Sequence, residues 1–244
     1  DVFISSISDH VQIINSKQKP RKINVIGSNG KIYPFLLKAN EDTRLDERVM
    51  QLFNYISDFI SQSKIPLSSK LNITTYSVVP LTNKVGLIGW VQDTKTLHDV
   101  IQNFRISHGK PIDIEYRKTM KVCPEYETTT IENKEKAFLY GINKTDGNEL
   151  KQVLLKFSTD SNDWLARRVQ FTTSLAVTSM AGYILGLGDR HLCNIMIKNR
   201  TAKLVHIDFG DCFEIAMKRA RFPEKVPFRL TRVFLNALEV SKIE

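Results

Sequence analysis

Two short segments in the C-terminal part of the chain carry carboxylate and carboxamide side chains at a spacing suited to phosphoryl transfer. The first is Gly186-Leu-Gly-Asp-Arg-His-Leu-Cys-Asn194, and the second is His206-Ile-Asp-Phe-Gly-Asp211. In Mg²⁺-dependent transfer from ATP, one Asp orients or deprotonates a hydroxyl, while an Asn and another Asp hold metal ions that bridge the phosphates. Asp-Phe-Gly alone occurs by chance in many chains, but its pairing with Asp-x-x-x-x-Asn is specific. The alternative is a pair of ordinary loops.

A lysine and nearby acids in the N-terminal half supply groups that could bind phosphates. Lys38 is predicted to end a strand, and Glu41 precedes a predicted helix. A lysine on a strand can contact nucleotide phosphates while a helix acid fixes its position. We expect Asp46 to face the cleft. The alternative is a surface lysine beside a solvated network of charged side chains.

A polar, basic loop at residues 15–22 precedes that lysine and lies between two predicted strands, where ATP kinases place a loop over the phosphates. It has no Gly-x-Gly-x-x-Gly pattern. The Ser16 hydroxyl, the loop amides and the charges of Lys17, Lys19 and Arg21 could contact phosphate instead. The alternative is a basic hairpin tip in solvent.

Trp90 and Val91 follow a predicted strand at the junction between the two halves of the chain. An indole face can stack on adenine while the Val91 backbone hydrogen-bonds the edge of the base. The alternative is that Trp90 is a core residue.

Two histidines lie close to the candidate catalytic residues. His191 could hydrogen-bond a transferring phosphoryl oxygen, and His206 could order the catalytic loop. For each, the alternative is a structural histidine.

The pattern of apolar residues predicts an α+β, bilobal architecture with a cleft between the lobes. Strands are expected at residues 11–14, 23–26, 31–37, 71–79 and 85–91. An Asn-Gly turn joins the second and third of these strands. One N-terminal helix has an apolar face made of Val49, Leu52, Phe53, Ile56, Phe59 and Ile60. Further helices are expected at residues 96–104, 164–185 and 232–240, with a hairpin at 195–198 and 203–207. A β-rich half with one helix therefore precedes a mostly helical half.

Composition limits the choice of partners. A net charge of +9 favours anionic partners, but the charge is spread along the chain without an aromatic-interleaved basic block, so we expect no nucleic acid. Cys123, Cys193 and Cys212 have no CxxC spacing, which argues for a reducing compartment and against zinc. The apolar run at 175–187 is too short and polar to span a bilayer. Because the chain starts at Asp1 and stops within a predicted helix, we expect it to be a fragment.

The motifs resemble those of the phosphatidylinositol 3-kinase-related protein kinases. The order Asp-Arg-His, in place of His-Arg-Asp, is typical of that wider superfamily. Gly-Trp-Val at 89–91, Asp-Glu-Arg-Val-Met-Gln-Leu-Phe at 46–53, and Asp-Phe-Gly-Asp-Cys-Phe-Glu with Phe-Pro-Glu-Lys-Val-Pro-Phe-Arg-Leu-Thr-Arg within 208–232 resemble the target-of-rapamycin (TOR) group. The resemblance covers nearly the whole chain. Leu192-Cys193 replaces the usual Pro-Ser, a change that removes no catalytic group.

The resemblance implies a role for each candidate residue. The nucleotide site would comprise Ser16 in the phosphate loop, Lys38 on the phosphates with Glu41 as its partner, Asp46, and the adenine hinge Trp90 and Val91. The reaction site would comprise Asp189 as catalytic base, His191 as electrostatic helper, and Asn194 and Asp208 as ligands of Mg²⁺.

The resemblance also implies domains and partners. Residues 1–91 would be the N-lobe, and residues 92–244 a C-terminally truncated C-lobe with its catalytic loop at 186–194 and activation loop at 208–232. An insertion at about 113–161 would dock a small β-propeller subunit, and TOR-complex scaffold proteins would bind elsewhere. The expected activity is Ser/Thr protein phosphorylation from ATP in growth and nutrient signalling. The location would be cytoplasmic, with peripheral association at endomembranes through the complex.

Two other functions remain open at this point. A lipid kinase that phosphorylates inositol head groups would share the catalytic core, but such enzymes carry a denser Lys/Arg cluster in the activation loop. Here Lys218, Arg219 and Arg221 are interleaved with Ala220 and Phe222. A pseudokinase scaffold is the third possibility, against which the joint presence of the lysine, two aspartates and asparagine argues.

Overall fold

The computed structural model describes residues 1–16, 18–64, 70–219 and 224–239 of the chain. The strands in these ranges are β1 (Ile4–Ile7), β2 (Gln12–Ile13), β3 (Arg21–Gly27), β4 (Ile32–Ala39), β5 (Val78–Thr82), β6 (Val85–Gly89), β7 (Thr94–Thr96), β8 (Ile195–Lys198) and β9 (Leu204–His206). The helices are α1 (Arg44–Ser61), α2 (Leu97–Ser107), α3 (Ile114–Val122), α4 (Ile131–Ile142), α5 (Glu149–Lys156), α6 (Ser161–Leu185), α7 (Glu214–Met217) and α8 (Arg232–Leu238). Lys17, residues 220–223 of the predicted activation loop and Val240 of the last predicted helix lie outside the described residues.

Packing contacts divide the chain into two compact units. The first comprises Asp1–Thr94 and Gln170–Arg229, and the second comprises Lys95–Val169 and Leu230–Glu244. The segments that carry Asp189, Asn194 and Asp208 therefore pack in the same unit as the N-terminal sheet. The lobe boundary after residue 91 stays a prediction. The α+β class is confirmed, with an antiparallel sheet and one helix toward the N-terminus and mostly helices toward the C-terminus.

The first unit contains a six-stranded antiparallel sheet in the order β1-β3-β4-β6-β5, with β2 paired to β3. The predicted Asn-Gly hairpin is confirmed, because Ile26 pairs with Ile32 across the turn. Gly30 has φ +72°, a conformation that glycine adopts without a steric penalty. The sheet places Lys38 of β4 opposite Gly86 of β6.

Helix α1 buries Asp46, Val49, Met50 and Phe53 on one face. The spacing of these residues is that of a helix with one side against a core. Phe59, which we expected on the same face, is 79% exposed. That prediction was wrong because position 59 is six residues, or about 120° around the helix, from Phe53.

The predicted strand at residues 71–79 is also wrong over most of its length, since β5 begins only at Val78. The preceding segment instead runs beside α1 and bonds to its side chains. The Ile73 amide donates to Ser57 Oγ at 3.0 Å, and the Tyr76 amide donates to Met50 Sδ at 3.5 Å. Side chains of α1 thus accept hydrogen bonds from backbone amides that would pair with a neighbouring strand if this segment were a strand. An alternating apolar pattern does not reveal this difference.

Helix α6 ends at Leu185, as predicted. Gly186 follows its last residue with φ +57°, and the Leu187 amide donates to Gly182 O at 2.8 Å, as in a glycine-terminated helix. The β8–β9 hairpin follows and is confirmed, with Ile195 opposite His206. The core of the unit joins these elements to α1 and the sheet through Val49, Met50, Phe53, Ile73, Val78, Ile88, Val177, Ala181, Leu185, Leu187, Phe209 and Cys212.

In the second unit, a buried ionic network joins four helices. Arg105 of α2 pairs with Glu149 of α5 at 2.6 Å and with Glu115 of α3 at 2.5 Å, and Arg105 is only 5% exposed. Arg232 of α8 also contacts Glu115, at 3.3 Å. The acids compensate the buried guanidinium, so the network fixes these helices relative to one another.

Residues 113–161, where the insertion is predicted, contain α3, α4 and α5. Helix α4 turns Ala137 and Gly141 inward. Its outer face exposes large apolar side chains, among them Ile131 and Phe138. Among the described residues, no helix is both long and apolar enough to cross a membrane.

Candidate active site

The β8–β9 hairpin brings the predicted Asn and the second predicted Asp together. Asn194 immediately precedes β8, and its carbonyl accepts the Ile207 amide at 3.1 Å, one residue before Asp208. Asn194 is buried, whereas Asp208 is exposed. Asp208 has φ +61°, an uncommon value for a residue with a side chain. The hairpin therefore fixes an amide and a carboxylate side by side at its open end.

Arg190 joins the two catalytic segments through their backbone carbonyls. Its guanidinium donates to Gly188 O at 2.8 Å, to Ile207 O at 2.8 Å, and to Asp208 O. Arg190 is 6% exposed, and burial lowers the pKa of its guanidinium, although the Asp208 charge opposes that shift. An arginine remains charged in proteins, so these are charge-assisted bonds. Sequence reasoning missed this residue, although it lies inside the Asp-Arg-His motif.

Asp189 occupies the centre of a small polar cluster. The Asn194 amide nitrogen donates to Asp189 O at 3.0 Å and to Asp189 Oδ2 at 3.3 Å. Arg219 Nη2 lies 3.6 Å from Asp189 Oδ1 and also contacts the Asp211 carboxylate. The Asp189 side chain is 40% exposed, and its φ is +56°. A carboxylate held this way is oriented on one side and accessible on the other.

His191 lies beside the same carboxylate. Its Nδ1 accepts the Cys193 amide at 3.2 Å, and its Nε2 lies 3.8 Å from Asp189 Oδ2. Because Nδ1 acts as an acceptor, the neutral ring carries its proton on Nε2. His191 can therefore donate a hydrogen bond from Nε2 beside Asp189.

Lys38 and Glu41 form the predicted ion pair. Lys38 Nζ lies 2.9 Å from Glu41 Oε1, with the two side chains 13% and 20% exposed. Burial works to lower the pKa of Lys38, but the hydrogen bond to Glu41 and the charges of Asp208 and Asp46 outweigh it and the pKa is raised. The lysine therefore stays cationic although it is partly buried.

Asp46 is not at an open surface but almost fully buried, at 2% exposure. Burial raises the pKa of its carboxyl to about 6, a rise that Lys38 opposes and Asp208 and Glu41 reinforce. The Phe209 backbone is near enough to oppose this rise in the pKa, whereas Asp46 Oδ1 has no hydrogen-bond partner among the described residues. Asp46 thus lies next to the Asp-Phe-Gly segment.

Tyr76 is a neighbour of this group that sequence reasoning missed. Burial raises the pKa of its hydroxyl, and the charges of Asp46 and Asp208 add to the rise, while Arg190 opposes it. Tyr76 lies in the segment wrongly predicted as a strand, so no pattern in the sequence marked it.

His206 is buried at the end of β9, and neither ring nitrogen has a hydrogen-bond partner among the described residues. Burial, with the Arg190 charge, lowers its pKa to about 3. The ring is therefore neutral at physiological pH. The contacts of His206 favour the structural alternative over a role in ordering the catalytic loop.

The predicted hinge lies directly after β6. The Trp90 amide donates to Pro34 O at 3.0 Å, and the Val91 carbonyl accepts from Thr94 Oγ1 at 2.8 Å. Both residues are partly buried. Lys22 Nζ lies 4.3 Å from the centroid of the Trp90 ring, so one face of the indole is covered by a cation.

Ser16 lies in the exposed loop between β2 and β3, within a turn in which its carbonyl accepts the Lys19 amide at 3.1 Å. Lys19 has φ +46°. The Ser16 role stays a prediction.

The donor set fits a hard divalent cation. Asn194 uses its amide nitrogen on Asp189, which leaves its carbonyl oxygen as the ligating atom. Asp208, the other expected ligand, follows Ile207, whose amide binds the Asn194 backbone. Oxygen atoms of this kind suit Mg²⁺, which commonly takes few protein ligands and completes its shell with water and phosphate. Among the described residues, no three His, Cys, Asp or Glu side chains form a metal cluster.

Comparisons with known proteins agree with this fold. Residues 32–244 match the phosphatidylinositol 3- and 4-kinase family. The chain is 46% identical over 243 residues to the serine/threonine-protein kinase mTor of Drosophila melanogaster, covering 100% of this chain and 10% of that protein. It is 47% identical over 243 residues to the serine/threonine-protein kinase TOR of Arabidopsis thaliana, with the same shares. The solved FAT and kinase domain of CtTel1 matches with a TM-score of 0.82 and 28% identity, covering 99% of this chain and 17% of that one.

The chain belongs to the phosphatidylinositol 3- and 4-kinase family. Within it, the chain is similar over its whole length to serine/threonine-protein kinases of the TOR group. The chain spans about a tenth of the length of the curated relatives that it matches.

Because His206 is buried as a neutral ring, we predict how the stability of the protein changes in acid. Its pKa is about 3 in the fold against an ordinary 6.5, so between these values the unfolded chain binds a proton that the folded chain does not. Its contribution to stability is therefore complete above the ordinary pKa and is lost progressively as the pH falls toward the folded pKa. We expect His206→Leu to flatten the loss of unfolding free energy, measured by urea denaturation, between about pH 7 and about pH 5.

The exposed His10 provides a matched control for this measurement. His10→Leu should leave the pH dependence as it is in the unsubstituted protein. An unchanged slope in His206→Leu would show that His206 does not contribute to acid unfolding.

Proposed function

We propose that this chain is the catalytic domain of a Ser/Thr protein kinase that transfers the γ-phosphoryl group of ATP to protein hydroxyls. The observation that carries the proposal is the convergence of Asp189, Asn194 and Asp208, with Arg190 binding the backbone on either side of them. Phosphoryl transfer depends mainly on positioning and charge compensation, and this cluster offers both. The chain covers only a tenth of its relatives, so activity, substrates and partners of the whole protein are all part of the proposal.

In this proposal Asp189 is the catalytic base. Its Oδ2 is oriented by Asn194, while 40% of the side chain is accessible to an incoming hydroxyl. Asp189 orients that hydroxyl and accepts its proton as the new O–P bond forms and the bond from the γ-phosphorus to the departing ADP oxygen breaks. His191, with its proton on Nε2, donates toward the phosphoryl oxygens from the same side.

Asn194 and Asp208 would hold Mg²⁺, which would supply positive charge to neutralise the ATP phosphates. Lys38 contacts the phosphates, and Glu41 fixes the lysine through the bond at 2.9 Å. Asp46 lies buried behind them, beside the Asp-Phe-Gly segment.

The adenine would bind at the hinge. Trp90 stacks on the base and the Val91 amide meets its edge, which requires either that Lys22 leave the indole or that adenine use the other face. Ser16 and its loop contact the phosphates, which are at the end of the nucleotide opposite to adenine.

The acceptor is proposed to be protein, because the cations of the activation segment are interleaved with apolar residues and do not form the dense Lys/Arg cluster of lipid kinases. Arg219 already pairs with Asp211 and Asp189, so its charge is compensated within the site. A full-length preparation offered a peptide and a phosphoinositide together with radiolabelled ATP should label the peptide. Label only in the phosphoinositide would identify a lipid kinase, and nucleotide binding without any transfer would identify a pseudokinase.

The two aspartates are predicted to differ in what they contribute. Asp189→Asn in the full-length protein should leave Mg-ATP affinity within about a few-fold while kcat falls by roughly 10²–10⁴, the usual effect of a positioned base. Asp208→Ala should weaken Mg-dependent nucleotide binding as well as turnover, because a metal ligand is lost. Binding is measured by titration with Mg-ATP and turnover by initial rates. If Asp189→Asn abolished binding and Asp208→Ala spared it, the two roles would have to be exchanged.

The insertion is proposed to dock a small β-propeller subunit through the outer face of α4. Ile131 and Phe138 lie seven residues apart on one side of that helix and are 82% and 51% exposed. Exposed apolar side chains of this size are typical of interaction sites. Other scaffold proteins of a TOR complex, a cytoplasmic location and peripheral association with endomembranes are proposed from the family resemblance alone.

Charge placed on that face should prevent docking. Ile131→Asp with Phe138→Asp should abolish co-purification of the β-propeller subunit with the full-length protein. The matched control is Tyr55→Asp, at an α1 side chain that is 71% exposed, and this variant should retain the subunit. Retention of the subunit by the α4 variant would place the interface elsewhere.

A further inference from the structure

The peptide group of Asp189 is bound by a side chain from the far end of the activation segment. The Asp189 amide donates to Glu224 Oε1 at 3.1 Å, although the two residues are 35 positions apart. Asp189 has φ +56°, a left-handed conformation that is unfavourable for a residue with a side chain. A carboxylate that accepts a backbone N–H makes a charge-assisted bond, which is stronger than a neutral one. Glu224 therefore stabilises the conformation that orients Asp189.

Glu224 is itself fixed to the first half of the activation segment. Its amide donates to Ala216 O in α7 at 3.0 Å. The same half is joined to the catalytic loop, since the Gly188 amide donates to Asp211 O at 2.8 Å. A Cβ at Gly188 would lie 2.5 Å from Ala216 Cβ and 3.0 Å from Glu224 Cγ, so only glycine permits this approach.

Arg229, from the same segment, binds the backbone of the next residue, Arg190. Its Nη1 donates to the Arg190 carbonyl at 3.3 Å, on the C-terminal side of Asp189. Glu224 and Arg229 are five positions apart and of opposite charge. The Glu224 carboxylate accepts from a backbone N–H, and the Arg229 guanidinium donates to a backbone C=O. The backbone at positions 189 and 190 is thus held through its N–H and its C=O by one short stretch of chain.

We propose that Glu224 is a positioning residue for Asp189, supported by Arg229, so that the catalytic aspartate is correctly oriented only when residues 224–229 have folded against it. This inference rests on the proposed function and adds a residue that touches neither nucleotide nor acceptor. It makes the order of the activation segment a direct determinant of the phosphoryl-transfer step. Binding of Mg-ATP, which depends on other residues, is unaffected.

The test is steady-state kinetics of the full-length protein with a peptide acceptor. Glu224→Ala removes the acceptor of the Asp189 N–H, and we expect kcat to fall about 10- to 100-fold while KM for ATP stays within about twofold. Glu224→Gln keeps an oxygen that can accept this bond, so it should restore most of the rate. Lys225→Ala, at the exposed neighbouring position, is the matched control and should have the wild-type rate.

A double variant separates a positioning role from a general contribution to folding. If Glu224 acts through Asp189, then Glu224→Ala should cause little further loss in an Asp189→Asn background, because the two effects are coupled. An equal fold-loss in both backgrounds, or a Glu224→Gln rate as low as that of Glu224→Ala, would overturn the proposal. Should Glu224→Ala fail to bind Mg-ATP, the Glu224→Gln and Lys225→Ala rates decide alone, and a Gln variant much slower than the control overturns it.

The same experiment distinguishes this inference from the proposed function. Failure of the unsubstituted protein to phosphorylate peptide would contradict the protein-kinase assignment. Normal peptide phosphorylation by both the unsubstituted protein and Glu224→Ala would contradict only the role of Glu224.

Discussion

The buried guanidinium of Arg190 is the interaction on which the candidate site depends. Its donors bind carbonyls on both sides of the β8–β9 hairpin, so the catalytic loop and the Asp-Phe-Gly segment cannot separate without leaving a buried charge unpaired. Its plane also lies 5.5 Å from the centre of the Phe209 ring. Because the bonded partners are backbone atoms, the side chains of Asp189, Asn194 and Asp208 remain available for chemistry. The hydrogen bonds to these carbonyls thus offset the free-energy cost of burying the guanidinium, and they also keep the three functional residues in place.

Helix α1 transmits this order to the nucleotide-binding residues. Phe53 packs edge-to-face on Phe209 with ring centres 5.6 Å apart, and the buried Asp46 lies about two turns earlier in the helix. Lys38 lies close enough to Asp46, Glu41 and Asp208 for their charges to raise its pKa despite burial. The acids and the lysine therefore balance one another, and bound Mg²⁺ and phosphate would change that balance at Lys38 and Asp208 first.

Some of the site was legible in the sequence because it consists of local motifs. The spacing of Asp189 and Asn194, the Asp-Phe-Gly at 208–210 and the pairing of Lys38 with Glu41 each lie within a few residues, and the structure brings each of these groups together. Other members were not predictable, because they join the site from distant positions. Tyr76 lies in a segment whose alternation mimics a strand, and Glu224 reaches Asp189 across the whole activation segment.

The sequence by itself determined the family, the α+β class, the hairpins and the long helix, because turn glycines and apolar periodicity are local properties of the chain. It did not determine that the catalytic segments pack with the N-terminal sheet, nor that Phe59 points to solvent. Only the tertiary structure decided how each charge is used: Asp46 became buried with a raised pKa, His206 became neutral, and Arg190 became a bridge. The physical reason is that burial and the distances to other charges set these properties, and both depend on residues far away in the chain.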